Sequence, residues 1–219
     1  MSLSWRELPV LEKVNLFQQS ALNTAWTDRE PIKLETSLKN SGGIFDGPFG
    51  SSLKTSDYTE VGVRVLRLEN IGRTIFMDEK TYISPEKYST LTRHTIQEGD
   101  VLFSSFVADF VRCCEFPASL GLAINKADCF CLRPDPSKLD SRFLVYLLST
   151  SQFYSLLRSS VKGVTRPRVN TSTIRHSMVP IPEIDEQRRI ATQISAYLTS
   201  ASDLTASIAR LRDRTAASF

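Results

Sequence analysis

Only two histidines, three methionines and two tryptophans occur in 219 residues, and no stretch approaches the ~18 continuous apolar residues needed to span a membrane. With His94 and His176 as the sole imidazoles, a zinc-binding His pair is excluded, and each reads better as a surface or capping residue than as a base. Gly-x-Ser-x-Gly and Gly-x-Gly-x-x-Gly segments are missing, which removes hydrolase elbows and dinucleotide loops. No Gly-Lys is followed by Ser or Thr, so there is no nucleoside-triphosphate phosphate loop. The Asn-Pro-Pro-aromatic segment used by amino-methyltransferases is also absent, so the chain is not expected to transfer methyl groups itself. Asp78-Glu79-Lys80 fits half of a nuclease metal site, but such triplets arise by chance in any charged chain. The sequence describes a binder rather than a catalyst, with no cofactor or metal expected.

Cysteine is sparse too. Cys113 and Cys114 are adjacent, and Cys129 and Cys131 lie one residue apart, without the two-residue gap of zinc knuckles. Alternation in Asp128-Cys129-Phe130-Cys131-Leu132 predicts a strand with two reduced thiols on one face, acting as small apolar groups. Excess charge is small, at +3 with a pI near 8.7, and does not by itself argue for nucleic acid. The N-terminal MSLSWRELPVLEKVN carries charges where a secretory signal needs an apolar run, so a soluble cytoplasmic protein is expected.

What is present is most ordered at the C-terminus. Pro180 and Pro182 hold the chain extended, and Glu183, Asp185 and Glu186 then cluster where acidic groups favour a helix start, near Ile184. From there Ile190, Ile194, Tyr197, Ala201, Leu204, Ile208 and Leu211 alternate at spacings of four and three, which is a heptad seam. A helix of roughly 30 residues, about 45 Å long, is predicted. So narrow a stripe wants a partner helix, either within the chain or on a second copy.

Residues 9–26 have near-helical apolar spacing at Val10, Leu11, Val14, Phe17, Leu22 and Trp26, and this segment is placed against the base of the long helix. After Pro31 a first strand, Ile32-Lys33-Leu34, leads into SGGIFDGPFGSSLKTSDY (residues 41–58), whose four glycines predict a long exposed loop. Free backbone N–H groups beside Ser51, Ser52 and Lys54 make it a candidate phosphate cradle. VGVRVLRLENIGRTIFM (61–77) reads as a half-solvated strand carrying Arg64, Arg67 and Arg73 around a turn at Asn70. Further strands are predicted at 101–103, 107–116 and 123–132, then a helix capped by Asp140 or Ser141 and another over 152–159. A basic loop follows, with Lys162, Arg166, Arg168, Asn170, Arg175 and His176 in a short span.

Taken in order, DGPFGSSLKTSDY, VRVLRLENIG, GDVLFSS, a strand ending Leu132-Arg133-Pro134, and KGVTRPRVNTSTI running into VPIPEIDEQRRI resemble the specificity subunit of type I restriction-modification systems. The resemblance implies an α+β chain: a mixed α/β target recognition domain followed by a long C-terminal coiled-coil helix. The expected division is an N-terminal helical segment (1–30), the recognition domain (31–182) and the spacer and dimerisation helix (183–219). Family members usually carry two recognition domains. This chain has room for one, so it is expected to act as a half-length subunit that homodimerises through Ile190, Ile194, Tyr197, Ala201, Leu204, Ile208 and Leu211 and reads inverted half-sites.

By the same resemblance its partners are double-stranded DNA, methyltransferase subunits and a restriction subunit. DNA contacts are placed on Ser51, Ser52, Lys54, Arg67, Asn70, Arg73, Lys162, Arg166, Arg168 and Asn170. The competing readings are a coiled-coil adaptor whose basic loops are merely solvated, and a recognition module serving a related restriction-methylation enzyme.

Overall fold

The computed structural model describes residues 10–40, 42–160 and 167–216. In chain order its helices are α1 (Val10–Asp28), α2 (Pro85–Ser89), α3 (Ser141–Leu148), α4 (Ser151–Ser160), α5 (Thr171–Arg175) and α6 (Ile184–Ala216). Its strands are β1 (Ile32–Lys33), β2 (Ile44–Phe45), β3 (Tyr58–Thr59), β4 (Val63–Leu66), β5 (Tyr82–Ile83), β6 (Thr95–Ile96), β7 (Val101–Ser104), β8 (Cys113–Glu115), β9 (Ala123–Asn125), β10 (Cys129–Leu132) and β11 (Met178–Val179). This is the expected α+β architecture. No described helix is long and apolar enough to cross a membrane.

Two sheets build the head, one of four strands in the order β2-β10-β7-β8 and one of five in the order β3-β5-β4-β9-β6. Strand β7 is the spine of the first. Val101 and Phe103 face the large core with α3, while Leu102 faces a second cluster with Cys114, Cys129 and Cys131. The register sets Cys131, Leu102 and Cys114 side by side across three strands. All four cysteines are free and buried, and burial pushes the Cys113 thiol up to about 12. Such thiols stay protonated and act as small apolar groups. Strand β4 departs from the half-solvated expectation, because all four of its residues are buried. Arg64 is tolerated there because its guanidinium pairs with Asp78 at 2.6 Å and donates to the Glu79 carbonyl.

The short strands β1 and β11 pair antiparallel, Ile32 with Val179, so the chain enters and leaves the head at one place. Helix α6 rises from there. Its first turn is pinned by Gln187, which is fully buried. The Gln187 amide oxygen accepts from Asp140 N at 2.9 Å, and its Nε2 donates to the Lys138 and Pro182 carbonyls at 2.8 and 2.7 Å. Asp140 is itself the N-cap of α3, its carboxylate accepting from Phe143 N. One side chain thus joins the start of α6 to the start of α3.

Helix α1 lies antiparallel along α6. Arg29 pairs with Glu186 at one end, and Phe17 stacks on Tyr197 at 4.1 Å further out. The mate over this part of the heptad seam is therefore in the same chain, with α1 against the base of the long helix as expected. Ile190 and Ile194 are 5% and 1% exposed within the chain's own core, which corrects their assignment to a seam with a second copy. Tyr197 is engaged by Phe17 in the same way. Ala201 is half-buried, and the side chains of Leu204, Ile208 and Leu211 lie outside the described residues.

Gln187→Ala strands the buried Pro182 carbonyl together with the part-buried Asp140 N–H and Lys138 carbonyl at the head-to-helix joint. It should cost about 2–4 kcal/mol, read as a drop in melting temperature of roughly 5–15 °C.

Candidate nucleic-acid interface

The glycine-rich segment is a loop, but it is pinned to the head. A Cβ at Gly47 would stand 2.1 Å from the Lys126 carbonyl carbon, so only glycine allows the loop to press on the turn between β9 and β10. Asp46 locks that approach, its Oδ1 accepting from Gly47 N at 2.7 Å and from Asp128 N at 2.9 Å. The Asp46 carbonyl accepts from the ring Nδ1 of His94 at 2.9 Å. His94 is thus a buried bonding residue, not a surface one, and burial pulls its pKa down. Burial also raises the Asp46 carboxyl, to about 6, against the lowering effect of the two amides it accepts from.

Asp128 occupies the left-handed region at φ 69°, which an aspartate tolerates better than most residues. Its Oδ1 accepts from Ser105 Oγ at 2.8 Å, and its Oδ2 lies 3.2 Å from Arg168 Nη2. The Arg168 guanidinium sits 4.2 Å from the centre of the Phe106 ring. Backbone bonds Val107 N to Pro167 O and Val169 N to Ser105 O hold these two segments together.

Two residues before Asp128, Lys126 Nζ donates to the Tyr58 hydroxyl at 2.6 Å and to the Leu53 carbonyl at 3.3 Å. Tyr58 also has Arg67 over its ring at 5.8 Å, and Arg67 pairs with Glu69 at 2.9 Å. Arg112 closes the circuit, donating to the Leu68 carbonyl at 3.2 Å and to Ser104 Oγ at 3.0 Å, two residues before Phe106. Contacts join Tyr58 to Lys126 and to Arg67, and separately run from Asp128 through Arg168, Phe106 and Ser104 to Arg112; the two sets are linked along the chain, Lys126 lying two residues before Asp128 and Arg112 bonding the carbonyl of Leu68, the neighbour of Arg67. Four cations and two aromatic rings share one neighbourhood, an arrangement that can bind phosphates and stack or read bases.

Of the residues named from the sequence, Arg67 and Arg168 belong to this circuit. Ser51, Ser52 and Lys54 are exposed beside it, tied in through Leu53. Arg73 is exposed and lies over Phe110 at 5.3 Å, three residues along from Asn70. Asn70 itself is a correction. It is fully buried, its Oδ1 accepting from Arg67 N and its Nδ2 donating to the Met77 and Glu79 carbonyls, each at 2.8 Å. Asn170 is likewise a helix cap, its Oδ1 accepting from Thr173 N at 2.8 Å and from the Thr173 hydroxyl. His176 closes the same short helix as its C-cap. Lys162 and Arg166 lie outside the described residues.

Sequence reading missed Asp46, Lys126, Arg112 and Asp128. The turn chemistry of Asn125-Lys126-Ala127-Asp128 between two apolar strands was a usable signal for Lys126. Nothing local couples Asp128 to Arg168, forty residues on.

The sequence profile of the type I restriction modification DNA specificity domain matches residues 42–210. Among curated proteins, the type I restriction enzyme MjaVIII specificity subunit of Methanocaldococcus jannaschii is 22% identical over 82% of this chain and 42% of its own length. The putative MjaX specificity subunit of the same organism is 22% identical over 63% of this chain and 33% of its own. Among solved structures, the HsdS subunit from Thermoanaerobacter tengcongensis superposes with a TM-score of 0.57 at 17% identity, over 90% of this chain and 46% of that one. The S subunit of a type I restriction-modification system from M. genitalium gives 0.55 at 13% identity, over 94% and 53%. The chain spans about half the length of the relatives it matches, or less, and the two solved structures share its fold.

Two variants separate support from contact. Asn70→Ala leaves the Arg67 N–H without its acceptor and takes one donor each from the Met77 and Glu79 carbonyls, which keep Glu79 N and Arg64 Nη2; it should cost about 1–3 kcal/mol in urea unfolding, whereas Lys54→Ala, at an exposed site, should unfold like the parent. Asp46 binds its proton up to about pH 6 when folded, against 3.8 ordinarily. The folded state therefore holds more protons across that window, and this group's contribution to stability falls as pH rises through it. Asp46→Asn keeps an acceptor oxygen for both amides but cannot ionise. Its urea midpoint should rise relative to the parent between about pH 4 and pH 7.

Proposed function

The chain belongs to the type I restriction modification DNA specificity family, with residues 42–210 carrying the match, and on that footing we propose that its head reads one half of a split DNA target. The observation that supports this most is the circuit of Arg67, Lys126, Arg168 and Arg112 around Tyr58 and Phe106. A net charge of only +3 would not hold DNA by itself; Arg67 and Arg168 are paired with Glu69 and Asp128, so Lys126 and Arg112 supply most of the local field that phosphates need. Ser51, Ser52, Lys54 and Arg73 flank the circuit and extend the contact along the duplex. Lys162 and Arg166 are proposed to join it from the neighbouring basic segment.

The chain acts without chemistry of its own, positioning methyltransferase subunits and, in the complete assembly, a restriction subunit. Helix α6 is the spacer. Because Ile190, Ile194 and Tyr197 are engaged within the chain, the second copy is met through the outer heptad positions Ala201, Leu204, Ile208 and Leu211. A two-fold dimer of that kind reads identical, inverted half-sites.

Salt dependence of duplex binding tests this reading. No carboxylate pairs with Lys126 among the described residues, so Lys126→Ala should weaken binding to every sequence and flatten the log-log salt slope by about 0.9. Negligible binding at any salt would instead identify an adaptor. A sedimentation mass of one chain at all concentrations would remove the dimer.

A further inference from the structure

Resting on the DNA-recognition reading above, we propose that Arg168 and Asp128 together form a reader of a G·C base pair in the major groove. Arg168 is half-exposed, yet its position is determined on two sides, by the Phe106 ring at 4.2 Å and by Asp128 at 3.2 Å. Asp128 is determined more strongly still. Its backbone N–H is held by Asp46, its Oδ1 by the Ser105 hydroxyl, and its backbone by a left-handed turn. A carboxylate fixed so firmly on a surface that meets DNA would repel phosphates. Its pairing also cancels much of the charge that Arg168 could offer to the backbone.

A base edge makes different demands. In the major groove a G·C pair presents two acceptors, guanine N7 and O6, next to one donor, cytosine N4–H2. The complement is a forked donor beside an acceptor, held in fixed relation. The pair with Asp128 runs through Arg168 Nη2, and the remaining guanidinium N–H groups have no protein partner among the described residues. Asp128 in turn keeps lone pairs beyond those used by Ser105 and Arg168. Adenine and thymine offer no such row, since adenine N6 donates where guanine O6 accepts. Lys126 provides the contrast within the same circuit: a point charge without a carboxylate suits a phosphate.

The test uses the full chain and a duplex enriched from a random pool by binding to it. Each guanine of that duplex is replaced in turn by 7-deazaguanine, which lacks N7, and by hypoxanthine, which lacks only the minor-groove amine. The expected result is at least one guanine where the deaza substitution weakens binding about 5- to 150-fold and hypoxanthine does not. That sensitivity disappears in Arg168→Lys, which keeps the charge and loses the fork. Arg168→Ala relaxes sequence preference at the same position and leaves the salt slope unchanged. Deaza sensitivity that survives in Arg168→Lys, or an Arg168→Ala variant that loses affinity equally for all sequences with a flatter salt slope, overturns the proposal while leaving DNA recognition intact. Failure to enrich any sequence overturns both.

Discussion

The hydrogen bonds of Gln187 are the constraint on which the relation between head and helix depends. Buried amides are costly when unpaired, and this one has its oxygen and both N–H donors placed, against Asp140, Lys138 and Pro182. A helix of 33 residues keeps one direction relative to the head only if its root does not pivot. Directional bonds supply an orientation that apolar contact alone would leave loose. Around them Ile190, Ala191 and Ile194 enter the same core as α3, and α1 packs along that seam through Phe17, with Arg29 just past its end pairing with Glu186.

A second constraint works at the far side of the head. Four-stranded and five-stranded sheets meet where the glycine-rich loop crosses the β9 to β10 turn, and Asp46 holds that crossing with one carboxylate oxygen on two amides. Placing the carboxylate there raises its pKa, so the clasp is a compromise between geometry and solvation. What it secures is the position of Lys126 and Asp128, and through Asp128 that of Arg168. Arg133 shows the same logic inside the head, its guanidinium forked onto Asp100, which is 1% exposed, at 2.8 and 2.7 Å. Structural arginines here are buried and doubly bonded. Arg67 and Arg168 of the candidate interface are more exposed, and each is paired with a single carboxylate.

Much of the architecture was legible in the chain. Acidic residues after Pro182 marked the start of α6 at Ile184, Asp140 was readable as a cap, and the alternation around Cys129 and Cys131 placed both thiols on one face. These features are local, set by dihedral preference, dipole and side-chain period, and local rules act on neighbours in sequence. The heptad seam was legible as a demand for a mate, and α1 was placed correctly against its base.

Tertiary structure alone decided which partner answered each demand. Periodicity states that Ile190 and Ile194 must be buried, but both a second copy and the chain's own α1 and α3 satisfy it, and proximity within one chain favours the latter. Asn70 and Asn170 carry groups suited to reading bases, yet unpaired backbone N–H and carbonyl groups nearby took them first. The coupling of Asp46 to Asp128 and of Asp128 to Arg168 spans 82 and 40 residues of sequence. Charge at that separation has no local signature, because what brings the groups together is the packing of two sheets and not the spacing of residues along a strand or helix.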